Sequence, residues 1–517
     1  MMHPGAEAAQ PSTEEGILTI EAAEFLCALH RRFASRRQEL LTERDGRQRE
    51  FDLGHIPEPL PKVGGISEIA RPGPPVRSDL AFGQVMLAGP PEGDVLSRGL
   101  NSGASLFIAD FDDCLSPTWQ NCLQSHASLR RAYDRADLLA MKDLAGELAA
   151  ISVRPRNLSL EEKHFLVEGR PISASLFDFG LNIFYIAYAV QARPIAAHFS
   201  LSKLESHREA RLWGEIFRFT EQYLNIPRGS IRVMLTVDTV SAASEMDEIL
   251  YELREYATAL ECSPVSYLSS FVKSFRFRRE SLLPQRSDIN LEQPFLQAYQ
   301  ELLVHCCRKH EVRAISSSPQ LVQDGLKRDK WERARTSLDI RHEIELGFDG
   351  ICIADAHLVP MALSAFKENA RGRAWIRRDV GHCHITSRDL FSPSFGSITM
   401  MALRENVESM LEYLEAWLAG HGSARSASGI RNMASAELCR AQLWQWIRHS
   451  ARLTCGRRVS RYVVECLIRD SLASIELRVG EVSFAASKFF MAGELLLSSC
   501  TDDCHSSLPV RAYAHLC

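Results

Sequence analysis

Ser230 to Ser270 reads SIRVMLTVDTVSAASEMDEILYELREYATALECSPVSYLSS. Ile231 to Val237 is an apolar, β-branched run without polar alternation, the pattern of a strand buried on both faces. Asp238 closes it. Met246, Ile249, Leu250, Leu253, Ala257 and Leu260 then fall three or four apart on one stripe, which predicts a helix over Met246 to Leu260. Val265 to Phe271 reads as a second strand. Strand, helix and strand within about forty residues make a right-handed crossover unit. A carboxylate at the downstream end of a parallel strand faces the end of the sheet where such folds bind ligands. Asp238 therefore marks a candidate site.

The same alternation extends in both directions. SLFIADFDD from Ser105, AAISVRPR over Ala149 to Arg156, HFSLSKLES over His198 to Ser206, VRAISSS over Val312 to Ser318 and DGICIAD over Asp349 to Asp355 read as buried strands with polar ends. Trp213 to Asn225, Pro294 to Arg308 and Lys330 to Glu345 read as helices between them. Strands alternating with helices predict a (β/α)8 barrel, an α/β fold whose packed interior leaves the polar strand ends on the rim. The eighth strand is expected between Arg373 and Ile398.

The flanks differ in character. Ile17 to Glu43 carries an imperfect apolar stripe (Phe25, Leu26, Leu29, Phe33, Leu40, Leu41) and reads as a helix, with Arg31, Arg32, Arg36 and Arg37 as its solvated face. Pro57 to Pro91 is rich in Pro and Gly and reads as extended loop. Helices over Glu405 to Leu418, Ala434 to Arg448, Arg461 to Leu477 and Glu481 to Leu497 form a helical domain that would pack over the barrel's mouth. The expected division is an N-terminal helical and extended clasp over 1–98, a barrel over 99–400 and a helical domain over 401–517.

At 517 residues, 45% hydrophobic and 24% charged, the chain can bury a large core in two or three domains. A net charge of -5 speaks against a nucleic-acid footprint. No apolar run approaches the ~18 residues of a membrane span. The opening MMHPGAEAAQPSTEEG is polar and acidic, unlike a secretory leader. The 14 Cys are scattered without standard zinc spacing, which reads as reduced thiols. Cys500, Cys504 and His505, and likewise His382, Cys383 and His384, are minor metal groupings.

Seven stretches together carry a resemblance: ASLFIADFDDCLSPTWQN (Ala104 to Asn121), LFDFGL (Leu176 to Leu181), KLESHREARLWGEIF (Lys203 to Phe217), IPRGSI (Ile226 to Ile231), MDEILYELR (Met246 to Arg254), LEAWLAG (Leu414 to Gly420) and ASAELCRAQLWQW (Ala434 to Trp446). In these the chain resembles the malate synthase family, in its short A-type isoform, over almost all of its length. The resemblance implies a TIM barrel with an N-terminal clasp and a C-terminal helical plug. It implies a Claisen condensation in which a carboxylate base takes a methyl proton from acetyl-CoA. The enolate then attacks the aldehyde of glyoxylate held by Mg2+, and thioester hydrolysis gives malate. Its partners would be those small molecules, with no nucleic acid and no membrane.

The departures fall on the chemistry. The family's R-P-R-G-W-H is RPRNLS here, so Arg156, the expected enolate-stabilising Arg, is kept while Asn157, Leu158 and Ser159 replace its neighbours. The metal-binding Glu of I-E-T becomes Asp238, and the metal-binding Asp of G-R-W-D becomes Ser266. The base, the Asp of M-E-D, becomes Asn432. Gly-Gly-Met becomes Ser316, Ser317 and Ser318, and Ala-His-Pro becomes Ala354, Asp355 and Ala356. A neutral Ser binds Mg2+ weakly, and an Asn amide accepts no proton near neutral pH. Losing a general base commonly costs ~10²–10⁴ in rate. Glu205, Asp112 and Asp113 are the carboxylates that could stand in.

Structural roles compete with these. Asp110 and Asp112 could hold rim loops, Arg156 could pair with Asp110 or Asp238, and Lys203 could pair with Glu205. Asn432 suits the cap of a helix starting near Ala434, and Trp444 and Trp446 suit domain packing. Two functions follow: an impaired acyltransferase of malate synthase type, or a non-catalytic barrel that binds an acyl-CoA or 2-oxo acid in a regulatory role. The C-terminal Ala-His-Leu-Cys is not a peroxisomal tripeptide of the Ser-Lys-Leu kind, which leaves a cytoplasmic or a peroxisomal/glyoxysomal setting open.

Overall fold

The structure is a computed structural model that describes residues 16–57, 85–140, 148–192, 195–291, 293–317, 330–370, 385–392, 396–423, 432–502 and 507–516. Its strands are β1 (Val85–Gly89), β2 (Leu106–Asp110), β3 (Ala150–Arg154), β4 (Glu161–Val167), β5 (Arg170–Ser173), β6 (Ala197–Leu201), β7 (Ile231–Val237), β8 (Ala257–Cys262), β9 (Arg313–Ser316) and β10 (Gly350–Ile353). Eight of them close into a parallel barrel in the order β1-β10-β9-β8-β7-β6-β3-β2. β4 and β5 form a separate antiparallel hairpin inserted between β3 and β6.

The barrel's two cores follow from the strand period of two. Met86, Ala88, Leu106, Ile108, Met234, Ala259, Ile315 and Cys352 form one small buried cluster. Because its members come from six strands around the ring, that cluster is the lumen. The alternate residues of the same strands, such as Leu87, Phe107, Val233, Leu235 and Leu260, join the large core between strands and outer helices.

β1 supplies the eighth strand. It lies inside the Pro- and Gly-rich stretch read as loop, and ahead of the barrel start expected at residue 99. It pairs with β10 on one side and β2 on the other and so seals the ring. No strand occurs between Arg373 and Ile398 among the described residues, where Ser387–Leu390 is helical.

The crossover after β7 also differs from expectation. The helix ends at Glu252, β8 is Ala257–Cys262, and the stretch read as a strand, Val265 to Phe271, lies inside a helix, Pro264–Ser274. Pro264 opens that helix at its first turn, where its missing N–H costs nothing. Val265, Leu268, Phe271 and Val272 then fall on its buried side at helical spacing.

The N-terminal helix, Ile20–Asp52, is capped by Thr19, whose hydroxyl accepts from Ala22 N at 3.2 Å. Arg37 is not on a solvated face. It is buried, and its guanidinium donates to Leu158 O at 2.6 Å, Glu161 Oε1 at 3.1 Å and Leu160 O at 3.3 Å. Arg31 and Arg36 do face water.

The C-terminal helices Met400–Leu418, Met433–Arg448, Arg461–Val479, Glu481–Ala486 and Phe489–Thr501 surround their own core, which includes Tyr413, Leu414, Trp417 and Trp446. The helix expected over Glu481 to Leu497 is thus two, broken at Ser487 and Lys488. This domain sits on the barrel by hydrogen bonds. Ser116 Oγ donates to Trp417 O at 2.7 Å, Asn121 Nδ2 to Gly420 O at 2.8 Å, and Trp446 Nε1 to Leu283 O at 2.8 Å. Gly422 touches the barrel so closely that a Cβ there would lie 2.3 Å from Leu115 C. Trp444 and Trp446 are packing residues, Trp444 donating to Asp502 O at 2.7 Å. At the chain's end, Lys163 Nζ of the hairpin donates to Leu516 O at 2.5 Å and to Tyr513 O at 3.3 Å. No helix among the described residues is long and apolar enough to cross a membrane.

Candidate active site at the barrel rim

Above the apolar lumen layer, the same inward-facing phase of each strand turns polar. Asp110 on β2, Arg154 on β3, Ser200 on β6, Thr236 on β7 and Glu261 on β8 meet in the barrel axis. Arg154 joins them. Its Nη2 donates to Glu261 Oε2 at 2.6 Å, its Nη1 to Asp110 Oδ2 at 3.1 Å, and its Nε to Ser200 Oγ at 3.2 Å. Thr236 Oγ1 donates to the same Glu261 oxygen at 2.7 Å. Burial works against the guanidinium charge, but Glu261 and Asp110 outweigh it and fix the charged form.

Asp110 has a second task. Its Oδ1 accepts from the main-chain N–H of Asp112 and of Asp113, both at 2.9 Å, which folds the loop after β2 back over the strand end. Asp112 is then saturated: Oδ1 accepts from Asn157 Nδ2 at 2.7 Å and Asn157 N at 3.0 Å, and Oδ2 from Lys203 Nζ at 2.7 Å and Ser202 Oγ at 2.9 Å. Burial would raise its carboxyl, yet Lys203 and Asn157 pull it below the usual range.

Lys203, just past β6, links three carboxylates. Its Nζ also donates to Asp113 Oδ1 at 2.8 Å. Its backbone lies in the left-handed region, φ 55°, which turns its N–H onto Asp238, 2.9 Å from Oδ1 and 3.0 Å from Oδ2. Burial pushes the Asp238 carboxyl up to about 7, with Lys203 offsetting part of the effect. Burial likewise pushes Asp113 up to about 6. The Lys203 ammonium works against that rise, and Asp112 and Asp110 add to it. Among the described residues, Lys203 is the one side chain hydrogen-bonded to the Asp113 carboxylate.

Several expected pairings are replaced. Arg156 touches neither Asp110 nor Asp238. Pro155 ends the strand, and Arg156 turns outward to Asp178, its Nε 2.8 Å from Oδ2 and its Nη2 2.8 Å from Oδ1, while Nη1 lies 2.7 Å from Glu162 Oε2. Asp178 belongs to LFDFGL, so part of that motif anchors Arg156. Burial alone would raise Asp178, but Arg156 and His126 hold it at about 2. Tyr513 from the C-terminal domain donates to Glu162 Oε1 at 3.1 Å. Lys203 does not pair with Glu205, which sits near Arg44 Nη1 at 3.4 Å and Lys273 Nζ at 3.9 Å.

Arg154 is the inward Arg that the sequence reading passed over. A period of two gives Arg154 and Arg156 the same phase, so only the end of β3 at Arg154, in register with Asp110, separates them.

Asn432 caps the helix Met433–Arg448. Its backbone is extended, and its Oδ1 accepts from Ser435 N at 3.1 Å and Ser435 Oγ at 3.0 Å. The next residue, Met433, donates its N–H to Asp113 O at 2.9 Å, which places the helix start directly on the β2 loop. Ser266 lies half-buried in the first turn of Pro264–Ser274. Ser316 ends β9, Ser317 Oγ donates to Cys262 O at 2.7 Å, and Ser318 lies outside the described residues. Asp355 caps a 3-10 turn, Ala356–Leu358, accepting from His357 N at 3.0 Å. Cys504, His505, His382, Cys383 and His384 also lie outside the described residues.

The resemblance implies Mg2+ held by Asp238 and the residue at 266. The donors do not make that site. Ser266 is neutral, both Asp238 oxygens face the Lys203 N–H, and the Lys203 ammonium already stands between Asp112 and Asp113. A hard dication needs several anionic oxygens free to turn inward.

The chain matches three family descriptions in sequence: "Malate synthase, N-terminal domain" over residues 7–63, "Malate synthase, TIM barrel domain" over 150–393 and "Malate synthase, C-terminal" over 397–516. It is 35% identical to the malate synthase of Streptomyces clavuligerus over 528 residues, covering 97% of this chain and 96% of that protein. It is 34% identical to the malate synthase of Myxococcus xanthus over 480 residues, covering 91% and 88%. A solved structure of Haloferax volcanii malate synthase, a pyruvate/acetyl-CoA ternary complex, matches with a TM-score of 0.47 at 12% identity, over 78% of this chain and 97% of that one. The closed parallel barrel with its N- and C-terminal helical regions, and the identity over nearly the whole chain, make this protein a member of the malate synthase family.

Proposed function

We propose that the protein condenses acetyl-CoA with glyoxylate at the rim, slowly, with Asp113 taking over from the base that Asn432 replaces. The carrying observation is the Met433 N–H to Asp113 O hydrogen bond of 2.9 Å. It puts Asp113 beside the helix start from which the family's carboxylate would act. In this scheme Asp113 takes a methyl proton of acetyl-CoA, and the enolate carbon bonds to the aldehyde carbon of glyoxylate. The Lys203 ammonium meets the growing alkoxide charge. The alkoxide takes that proton back from Asp113, and water cleaves the thioester to release CoA and malate. No step runs through Mg2+. Arg154 acts as a positioning residue, since Glu261 and Asp110 already engage it.

A second reading has its own support. Arg154, Arg156, Lys203 and Asn432 are all satisfied by protein partners, an arrangement that also suits a pocket that binds an acyl-CoA or 2-oxo acid without turnover. Thiol release from acetyl-CoA and glyoxylate, followed alongside acetyl-CoA binding by calorimetry, separates the two. The condensation reading expects turnover below the usual ~1–10³ s⁻¹ of enzymes, lost on Asp113→Asn. Binding without any thiol release would leave the second reading.

A further inference from the structure

A second cluster of reactive side chains lies away from the rim. Asp247 sits in the first turn of the helix Met246–Glu252. Cys306 is in the last turn of Pro294–Lys309, and His310 is that helix's C-cap, four residues on and on the same side. Asp247 Oδ1 lies 2.7 Å from His310 Nε2 and 3.3 Å from Cys306 Sγ, and the three ligand atoms lie within 4.8 Å of one another. β9 begins three residues after His310, so the cluster is at the barrel end opposite to Asp238.

We propose that Asp247, Cys306 and His310 form a binding site for a borderline-soft divalent ion, zinc, that ties the two helices together. One oxygen, one sulfur and one imidazole nitrogen are a zinc-type donor set, with a fourth position for water. Ligand lengths of about 2.0 Å for O and N and 2.3 Å for S, at tetrahedral angles, need ligand separations of about 3.3 Å for N–O and 3.5 Å for S–O. The observed pairs are already within about 0.6 Å of those values. Lys309 Nζ lies 2.6 Å from Oδ2, the other oxygen of Asp247, and leaves Oδ1 turned to the site. Such an outer partner orients a ligating carboxylate. Asp247 and Lys309 are partly exposed, while Cys306 and His310 are buried, so the ion has an entry from one side.

The protons balance. Burial keeps the Cys306 thiol protonated without metal, and ion binding releases that proton to water. The proton between His310 Nε2 and Asp247 leaves that bond, for Nδ1 or for water, and Nε2 gives its lone pair to the ion.

The test uses the reduced full-length protein and Co2+ as a visible probe. A stoichiometric thiolate-to-cobalt charge-transfer band is expected, displaced by Zn2+. Cys306→Ser should abolish the band, and His310→Gln should weaken binding at least tenfold. Zn2+ should raise the thermal midpoint of the unaltered protein and of neither variant. Absence of the band, or a band of full strength in Cys306→Ser or His310→Gln, overturns the site. If Cys306→Ser fails to fold, His310→Gln and the Zn2+ shift of the unaltered protein still decide. None of these readouts depends on thiol release at the rim.

Discussion

Nη2 of Arg154 lies 2.6 Å from Oε2 of Glu261 inside the barrel, with side-chain exposures of 8% and 2%. Removing one partner of such a buried pair commonly costs about 3–5 kcal/mol, because the other charge is stranded. Asp110 also contacts Arg154, so Glu261→Ala should fall at the lower end of that range. Glu261→Gln, which keeps an acceptor, should lose less. Denaturant midpoints of the two variants against the unaltered protein check this, and an unchanged midpoint for Glu261→Ala would count against it.

Asn432→Asp tests the rim chemistry without disturbing the fold. Asp caps a helix as well as Asn does, so stability should change by no more than about 0.5 kcal/mol. A carboxylate restored beside Asp113 should raise thiol release at least tenfold, with the ~10²–10⁴ that a general base supplies as the upper bound. An unchanged rate with acetyl-CoA still bound would show that the helix start does not reach the substrate methyl.

Asp113 carries a pH signature. Its folded carboxyl, about 6, lies above its ordinary value of 3.8. A carboxyl raised in the folded state contributes stability that is complete below pH ~4 and fades as the pH climbs through 6. Asp113→Asn removes that dependence. The stability difference between the variant and the unaltered protein should therefore move in the variant's favour from pH 4 to pH 7. Thermal midpoints across that window measure it, and a constant difference would mean that Asp113 is not raised.

Arg37 and Arg36 are neighbours with opposite surroundings. Arg37→Ala deletes three hydrogen bonds to the segment 158–161 and should cost about 2–4 kcal/mol, at ~1 kcal/mol for each. Arg36 makes an exposed pair with Glu39 at 3.2 Å, and Arg36→Ala should fall within about 0.5 kcal/mol of the parent. Paired unfolding curves decide, and equal effects would contradict the clasp.

Much of the barrel was legible because strand ends keep their polar punctuation. β7 is read residue for residue from IRVMLTV. β8 was hidden because Ala257 and Leu260 extend the spacing of the preceding helical stripe, although ATALEC is buried throughout. Val265 to Phe271 misled through its β-branched and aromatic residues, whereas Pro264 marks a helix start. β1 was masked by the Pro and Gly on both sides of VMLAG. At the rim, composition could not tell which Arg of Arg154-Pro155-Arg156 faces the axis. That depends on where the strand stops, and it stops at Arg154. Asn432 as a cap was readable because the rule is local. The Lys203 contacts were not, since they join segments about ninety residues apart.

The hairpin's grip on residues 507–516, through Lys163 to Leu516 and Tyr513 to Glu162, has a consequence for local opening. The Tyr513 hydroxyl covers the Glu162 side of a dry Arg156 ion pair. Peeling that short helix away would wet the pair, so fraying of the C-terminal helices and of the hairpin should be one event.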